Sequence, residues 1–405
     1  MRRWVRLVLL ALAAGAWITA AVLLWQSSVV PDNLHLSEVD PHRYFSDRQL
    51  ARTASFTRFE RWDFVASQVA LVAVLVAYAR YGGRFARESA AGRIGTGMLL
   101  GMLGFGFVWL AQIPFGLADL WWERRHGISH AGYLGWIFRD WAQLAGEFAF
   151  VSLALVIVMA LAGKLGERWW LPGAATFVAL GALFTFVQPY LLGSLHSLAD
   201  ERPRLGAAAR RIAAEEGVAS VPIRVQDVSG ETSAANAEAI GLGPSRRVVL
   251  WDTLLDGRFG ERQVRFVIAH EYGHRARRHL PKGIAWYALF ALPGAYLIAR
   301  ATGRRGGMAD PAAVPLSLLV LVVLQLVGLP LQNVVSRRIE TEADWMALRT
   351  THDPAGDRRL MQSFTRTSLV EPDPPTWSYL LIDNHPTIMQ RIALANAWAA
   401  RQQRR

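Results

Sequence analysis

His270-Glu271-Tyr272-Gly273-His274 places two imidazoles and a carboxylate within about one helical turn. Residues four apart lie on the same helix face, so His270 and His274 can grip one ion together. Glu271 can then reach a water held in an open metal position. This H-E-x-x-H spacing suits zinc-assisted hydrolysis, with two His ligands and the Glu as general base. The chain has no cysteine, so any metal must be held by His and carboxylates.

A catalytic zinc site of this kind needs a third protein ligand and an open position, and His2Glu is one standard set. The best candidate lies in Ser336-Arg337-Arg338-Ile339-Glu340-Thr341-Glu342-Ala343-Asp344. On a helix, Ser336, Glu340 and Asp344 share a face, whereas Glu342 points elsewhere. Glu340 as metal ligand, with Asp344 orienting a ligand imidazole, is the chemical reading. A charged, solvated helix with i,i+4 pairs is the bland one.

These residues must be positioned by a very apolar chain. Its 405 residues are 52% hydrophobic and 19% charged. Apolar runs of about 18 residues read as transmembrane helices. Seven occur, at 7–25, 64–78, 95–117, 142–163, 171–193, 283–299 and 314–331. The first is longer than a signal-peptide core and reads as an uncleaved anchor. The expected organisation is a five-span region (1–193), a zincin-like catalytic domain (194–282), a transmembrane hairpin (283–331) and a C-terminal helical region (332–405) that supplies the third ligand. Two spans separate the H-E-x-x-H motif from Glu340, so the chain returns to the same side and one site is permitted.

Within the polar segment, 207–216 reads as a helix, 223–228 and 247–250 as strands, and 261–279 as the metal-bearing helix. His279, five residues beyond His274, points off the metal face of such a helix and reads as an interfacial residue. Glu147 falls inside a predicted span, lining a water-filled chamber or sitting near the interface. His35, His42, His126, His130, His196 and His352 show no ligand spacing.

The net charge of +12 is almost all arginine. No basic run interleaved with aromatics forms a nucleic-acid module, so the expected partners are a lipid bilayer and a peptide or protein substrate, not nucleic acid. Most of the sixteen tryptophans lie near span ends, as interface anchors do.

Taken in order, these residues resemble the integral-membrane zinc metalloproteases of the Ste24 type, the CAAX-protein endopeptidases of peptidase family M48, with HtpX-like proteases more distant. The resemblance rests on Asn236-Ala237, the stretch from Val248 to Leu255, His270 to His274, Ser336 to Asp344, and His385-Pro386 through Arg391. Trp122-Glu123-Arg124-Arg125-His126-Gly127-Ile128-Ser129 and the seven-span count add to it. It implies one Zn2+ at His270, His274 and Glu340, Glu271 as base, and Asp344 in support. It also implies that His385 and Arg391 stabilise the tetrahedral intermediate or the substrate, and that Asn236-Ala237 on an edge strand pairs with the substrate backbone. The implied fold is an α-helical integral membrane protein of about seven transmembrane helices around a chamber, with a small α+β zincin-like domain.

Three positions depart from the CAAX-type pattern: Glu238 where an aromatic is usual, Gln390 where Glu is usual, and Gly127-Ile128-Ser129 for Gly-Phe-Asn. They leave the hydrolytic residues intact and shift the expectation toward general peptide cleavage, with CAAX processing or a non-proteolytic scaffold or transporter as alternatives. The expected location is a bacterial inner membrane. The resemblance puts the catalytic side in the cytoplasm. The positive-inside rule argues the reverse, with twelve Lys/Arg in the loops opposite the metal against eight in the short loops on its side.

Overall fold

The computed structural model describes residues 2–404, apart from the side chains at 2, 3, 5, 6, 9, 10, 88, 139–145 and 147. The Glu147 side chain thus lies outside the described residues. Each of the seven apolar segments falls in a helix of its own: α1 (Arg2–Gln26), α2 (Asp47–Tyr81), α3 (Gly92–His126), α4 (Tyr133–Leu165), α5 (Trp170–Leu191), and, after the polar segment, α9 (His279–Thr302) and α10 (Val314–Thr351). Among the described residues, five stretches are long and apolar enough to cross a membrane by length and composition. One of them, Phe148–Leu191, runs through both α4 and α5, and a shorter apolar helix spans Ala11–Gln26. Large apolar side chains such as Leu110 and Val327 remain exposed on these helices, 59% and 74% respectively. Apolar surface on that scale calls for lipid rather than water.

Between α5 and α9 the chain forms α6 (Leu198–Glu201), α7 (Pro203–Glu215), α8 (Glu261–Ala276) and four short strands. The strands are β1 (Leu195–Ser197), β2 (Ile223–Gln226), β3 (Ala237–Ile240) and β4 (Arg247–Trp251), in the order β1-β2-β4-β3. The pair β2/β4 is parallel, with Val225 opposite Leu250, and β3 runs antiparallel to β4 with Ala237 opposite Leu250. Thus β3 is an edge strand. After α10 come α11 (Pro354–Thr367), α12 (Thr376–Leu381) and α13 (Ile388–Gln403).

The sheet, α7, α8, the polar end of α10, α11 and α13 share one apolar core. Val225, Val248, Leu250, Phe266, Ile268, Leu348, Met361 and Ile392 are fully buried in it. A second core, including Leu100, Met159, Trp169 and Val314, holds the membrane helices together at the other end.

Two glycines do identifiable work. Gly127 ends α3 with φ 75°, a left-handed conformation natural to glycine, and lets the chain turn at once. The following residues clip onto the loop before β3: the His130 N–H donates to Glu231 O at 2.7 Å, and Ser233 N–H to Ile128 O at 2.8 Å. The Trp122–Ser129 stretch therefore ties a membrane helix to the segment that leads into the edge strand. Gly273 permits the close crossing of α8 and α10, because a Cβ there would lie 2.9 Å from the Met346 Cβ.

At 38 residues, α10 is about 57 Å long. Its first half is apolar and its second half enters the polar domain, so Glu340, Glu342 and Asp344 are held on one rigid rod beside α8.

Candidate metal centre

Helix α8 buries His270 and Glu271, at 8% and 7% exposure, beneath the sheet edge. One turn apart, His270 and His274 bring their Nε2 atoms to 3.0 Å. From α10, Glu340 Oε2 lies 3.2 Å from His270 Nε2, and Glu340 Oε1 lies 3.5 Å from His274 Nε2. One ligand atom from each of the three residues falls within 4.8 Å of the others.

That grouping suits zinc. Ligands at about 2.0–2.1 Å in a tetrahedron stand roughly 3.3 Å apart; the two imidazole nitrogens are 3.0 Å apart, one Glu340 oxygen lies 3.2 Å from His270 and the other lies 3.5 Å from His274. Two imidazoles and one carboxylate also have the donor chemistry of a hydrolytic site with an open fourth position.

The electrostatics favour a cation at this place. Burial opposes charge on His270, but hydrogen bonds to Asp344 and Glu340 outweigh it and raise the ring to about 10. Burial instead pulls His274 down to about 3, which keeps that ring neutral, the form a metal ligand requires. Burial also pushes Glu271 up to about 7; His270 counters this, while Glu340 and Glu238 add to it.

Behind His270, Asp344 Oδ1 lies 2.9 Å from its Nδ1. Asp344 is itself fully buried and held by Arg391, from Nε to Oδ2 at 2.8 Å and from the second guanidinium nitrogen to Oδ1 at 2.6 Å. His385, on the loop before α13, brings Nε2 to 3.4 Å from Glu340 Oε2, with its Nδ1 2.7 Å from Asn384 Oδ1.

A cavity of about 600 Å3 opens onto these groups and is lined by Asn236, Ala237, Glu238, Glu271, His385 and Arg391, among others. The open edge of β3 forms part of its wall. Asn236 O accepts from Trp251 N–H at 3.0 Å. By antiparallel alternation, the backbone groups of Ala237 and Ala239 then turn away from β4, toward the free edge.

The structure thus gathers at one cavity every site residue expected from the sequence, with Asp344 placed behind it. It corrects the expectation that His279 points away from the metal residues. The ring is 3% exposed, its Nδ1 lies 2.9 Å from His274 Nδ1, and its Nε2 lies 3.1 Å from Glu342 Oε2. The expected helix over 261–279 breaks after Ala276, and Arg278, at φ 55°, starts a new one. That kink swings His279 back toward His274. Glu342, which points away from the metal face as expected, is 3% exposed and lies on the far side of α10 from Glu340. A His five residues after the motif was the available signal, but a continuous helix would have turned it away.

Helices with lipid-scale apolar surface, a small mixed sheet and a His/His/Glu cluster across two helices define a multi-pass membrane protein with a zincin-like domain. Residues 199–399, just under half of the chain, match the model of Peptidase family M48, and with the relatives below this supports a Ste24-type M48 metalloprotease. The crystal structure of S. mikatae Ste24p superposes with a TM-score of 0.72 at 18% identity, covering 95% of this chain and 97% of that one. Among curated proteins, the uncharacterized metalloprotease YhfN of Bacillus subtilis is 29% identical over 260 residues, 61% of this chain and 60% of its own length. The CAAX prenyl protease 1 homolog of Arabidopsis thaliana is 28% identical over 260 residues, 59% of each chain. The match therefore spans about three fifths of these curated relatives.

Proposed function

We propose that the protein is an integral-membrane zinc endopeptidase. The observation that carries this reading is the convergence of His270, His274 and Glu340, one ligand atom of each within 4.8 Å of the others, in the same cavity as Glu271 and a free strand edge. Zinc held by these three ligands would supply Lewis acidity at its open position, lowering the pKa of a water and polarising the scissile carbonyl. Glu271 accepts that water's proton as its oxygen bonds to the carbonyl carbon. It then passes the proton to the amine as the C–N bond breaks. In this reading His385 donates to the developing oxyanion. Arg391 borders the cavity but gives two N–H groups to Asp344, so its role in this reading is to hold Asp344 against His270. Ala237 and Ala239 offer backbone groups to an extended substrate, which fixes its register along the cavity.

Peptides that reach the cavity from the membrane or its surface are the proposed substrates. The name of the plant relative makes prenylated CAAX peptides the second class to test. Glu238 weighs against them, since it puts a carboxylate on the cavity wall. The catalytic side is proposed to be cytoplasmic, as the resemblance implies.

The deciding experiment pairs zinc content with cleavage of a quenched peptide library, for the purified protein and for Glu271→Gln. One zinc per chain in both, with turnover lowered at least about 10²–10⁴-fold in the variant, is expected. Full activity of Glu271→Gln would remove Glu271 from the mechanism. Protein that takes up no zinc would remove the metal centre.

A further inference from the structure

We propose that His279 and Glu342 are positioning residues that lock His274 in its metal-binding tautomer. This rests on the zinc reading above and extends it to residues outside the ligand set. His274 turns Nε2 toward His270 and Glu340, so its Nδ1 faces the opposite way, onto His279 Nδ1 at 2.9 Å. The two rings meet edge to face, 81° apart with centroids at 4.9 Å. His279 Nε2 then meets Glu342 Oε2 at 3.1 Å.

With His279 neutral, one assignment of protons satisfies the whole chain. An ionised carboxylate only accepts, so His279 Nε2 must carry the hydrogen. A neutral imidazole has one donor and one acceptor, which leaves His279 Nδ1 as a lone pair. His274 Nδ1 must therefore donate to it, and His274 Nε2 presents its own lone pair to the metal position. The opposite tautomer of His274 would set two lone pairs face to face at 2.9 Å and aim an N–H at the cation site. Buried polar groups are seldom left in such pairings, because each then goes without a hydrogen bond it would make in water.

Glu342 is kept ionised and in place by its surroundings. Arg277 Nε donates to Oε1 at 2.6 Å, Lys282 Nζ lies 3.5 Å from Oε2, and the backbone N–H of Val29 donates to Oε1 at 3.1 Å. Arg277 also donates to Ser27 O at 2.7 Å. The segment leaving α1 therefore closes the far end of the relay. The arrangement matches the one behind His270, where Asp344 accepts and Arg391 holds it. Each imidazole ligand is thus anchored by its own buried carboxylate, one directly and one through a second imidazole.

The test measures zinc affinity by chelator competition for the full-length protein, His279→Phe, His279→Gln and Glu342→Leu. The ring of Phe fills the space without a nitrogen. Gln restores an acceptor for His274 and a donor for Glu342. The expected result is a loss of about 10–100-fold in affinity for His279→Phe, recovery of most of it in His279→Gln, and a smaller loss in Glu342→Leu, which leaves His279 in place. The Co2+-substituted absorption spectrum should change in His279→Phe and return toward the parent in His279→Gln. Unchanged affinity in both His279→Phe and Glu342→Leu would overturn the proposal. Equal losses in His279→Phe and His279→Gln would do the same, since volume rather than hydrogen bonding would then be at work. A parent protein that binds no zinc would instead bring down the metal reading, and this inference with it.

Discussion

Arg391 grips Asp344 with two parallel hydrogen bonds, 2.8 and 2.6 Å long, while the same carboxylate receives His270 Nδ1 at 2.9 Å. Asp344 is fully buried, so its charge depends on these partners, the Arg391 guanidinium foremost. Arg391→Ala should destabilise the protein by about 3–5 kcal/mol, the usual cost of breaking a buried ion pair from one side. It should also weaken zinc about 10–100-fold, because Asp344 no longer fixes the His270 ring. Arg391→Lys should lie between, since an ammonium cannot match both oxygens in a planar fork. Thermal unfolding of metal-free protein and zinc competition measure the two effects separately; an Arg391→Ala protein with parental zinc affinity would detach Arg391 from the site.

As the proposed general base, Glu271 should set an acid limb on activity. A general base works only when deprotonated, so the rate falls as pH drops through its pKa. Burial raises that value from 4.5 to about 7, whereas a bound dication would favour the carboxylate and pull it part of the way back. The acid limb of kcat/KM should therefore have its midpoint between pH 4.5 and about 7. Undiminished kcat/KM below pH 4.5 would point to a different base.

Metal removal should stop turnover and loosen the fold together, because the ligands come from two helices, α8 and α10. A metal that binds only the folded state adds about 2.7 kcal/mol at a free concentration one hundred times its Kd. Dialysis against a chelator should lower the unfolding temperature, and zinc should restore both temperature and cleavage. Restoration of one without the other would separate the structural site from the catalytic one.

The free edge of β3 predicts a split between binding and metal content. Ala237→Pro removes a backbone donor that faces the cavity and spares the ladder to β4, where an edge strand tolerates proline. We expect KM to rise several-fold or more, at about one lost hydrogen bond of 0.5–1.5 kcal/mol, with zinc content unchanged. Parental kcat/KM for extended peptides would argue against strand addition as the mode of substrate binding.

The sequence by itself determined whatever is local or counted. His270 and His274 share a face because a helix repeats every 3.6 residues. Glu340 and Asp344 share one for the same reason, and an even number of apolar runs between the two pairs allows them to meet. The apolar runs announce themselves because their length must match a bilayer. Tertiary structure decided the rest, where contacts join residues far apart in the chain. Nothing near Ile223 or Arg247 encodes that β2 and β4 pair in parallel, or that β3 is left at the edge with Ala237 facing a cavity. His279 is the clearest case. Helical periodicity turns it away from His274, but a single left-handed residue at Arg278 restarts the helix and brings the ring back to 2.9 Å. That reversal sets the other side of the ring against Glu342, sixty-three residues later. The carboxylate comes from a distant helix, and local propensity does not report it.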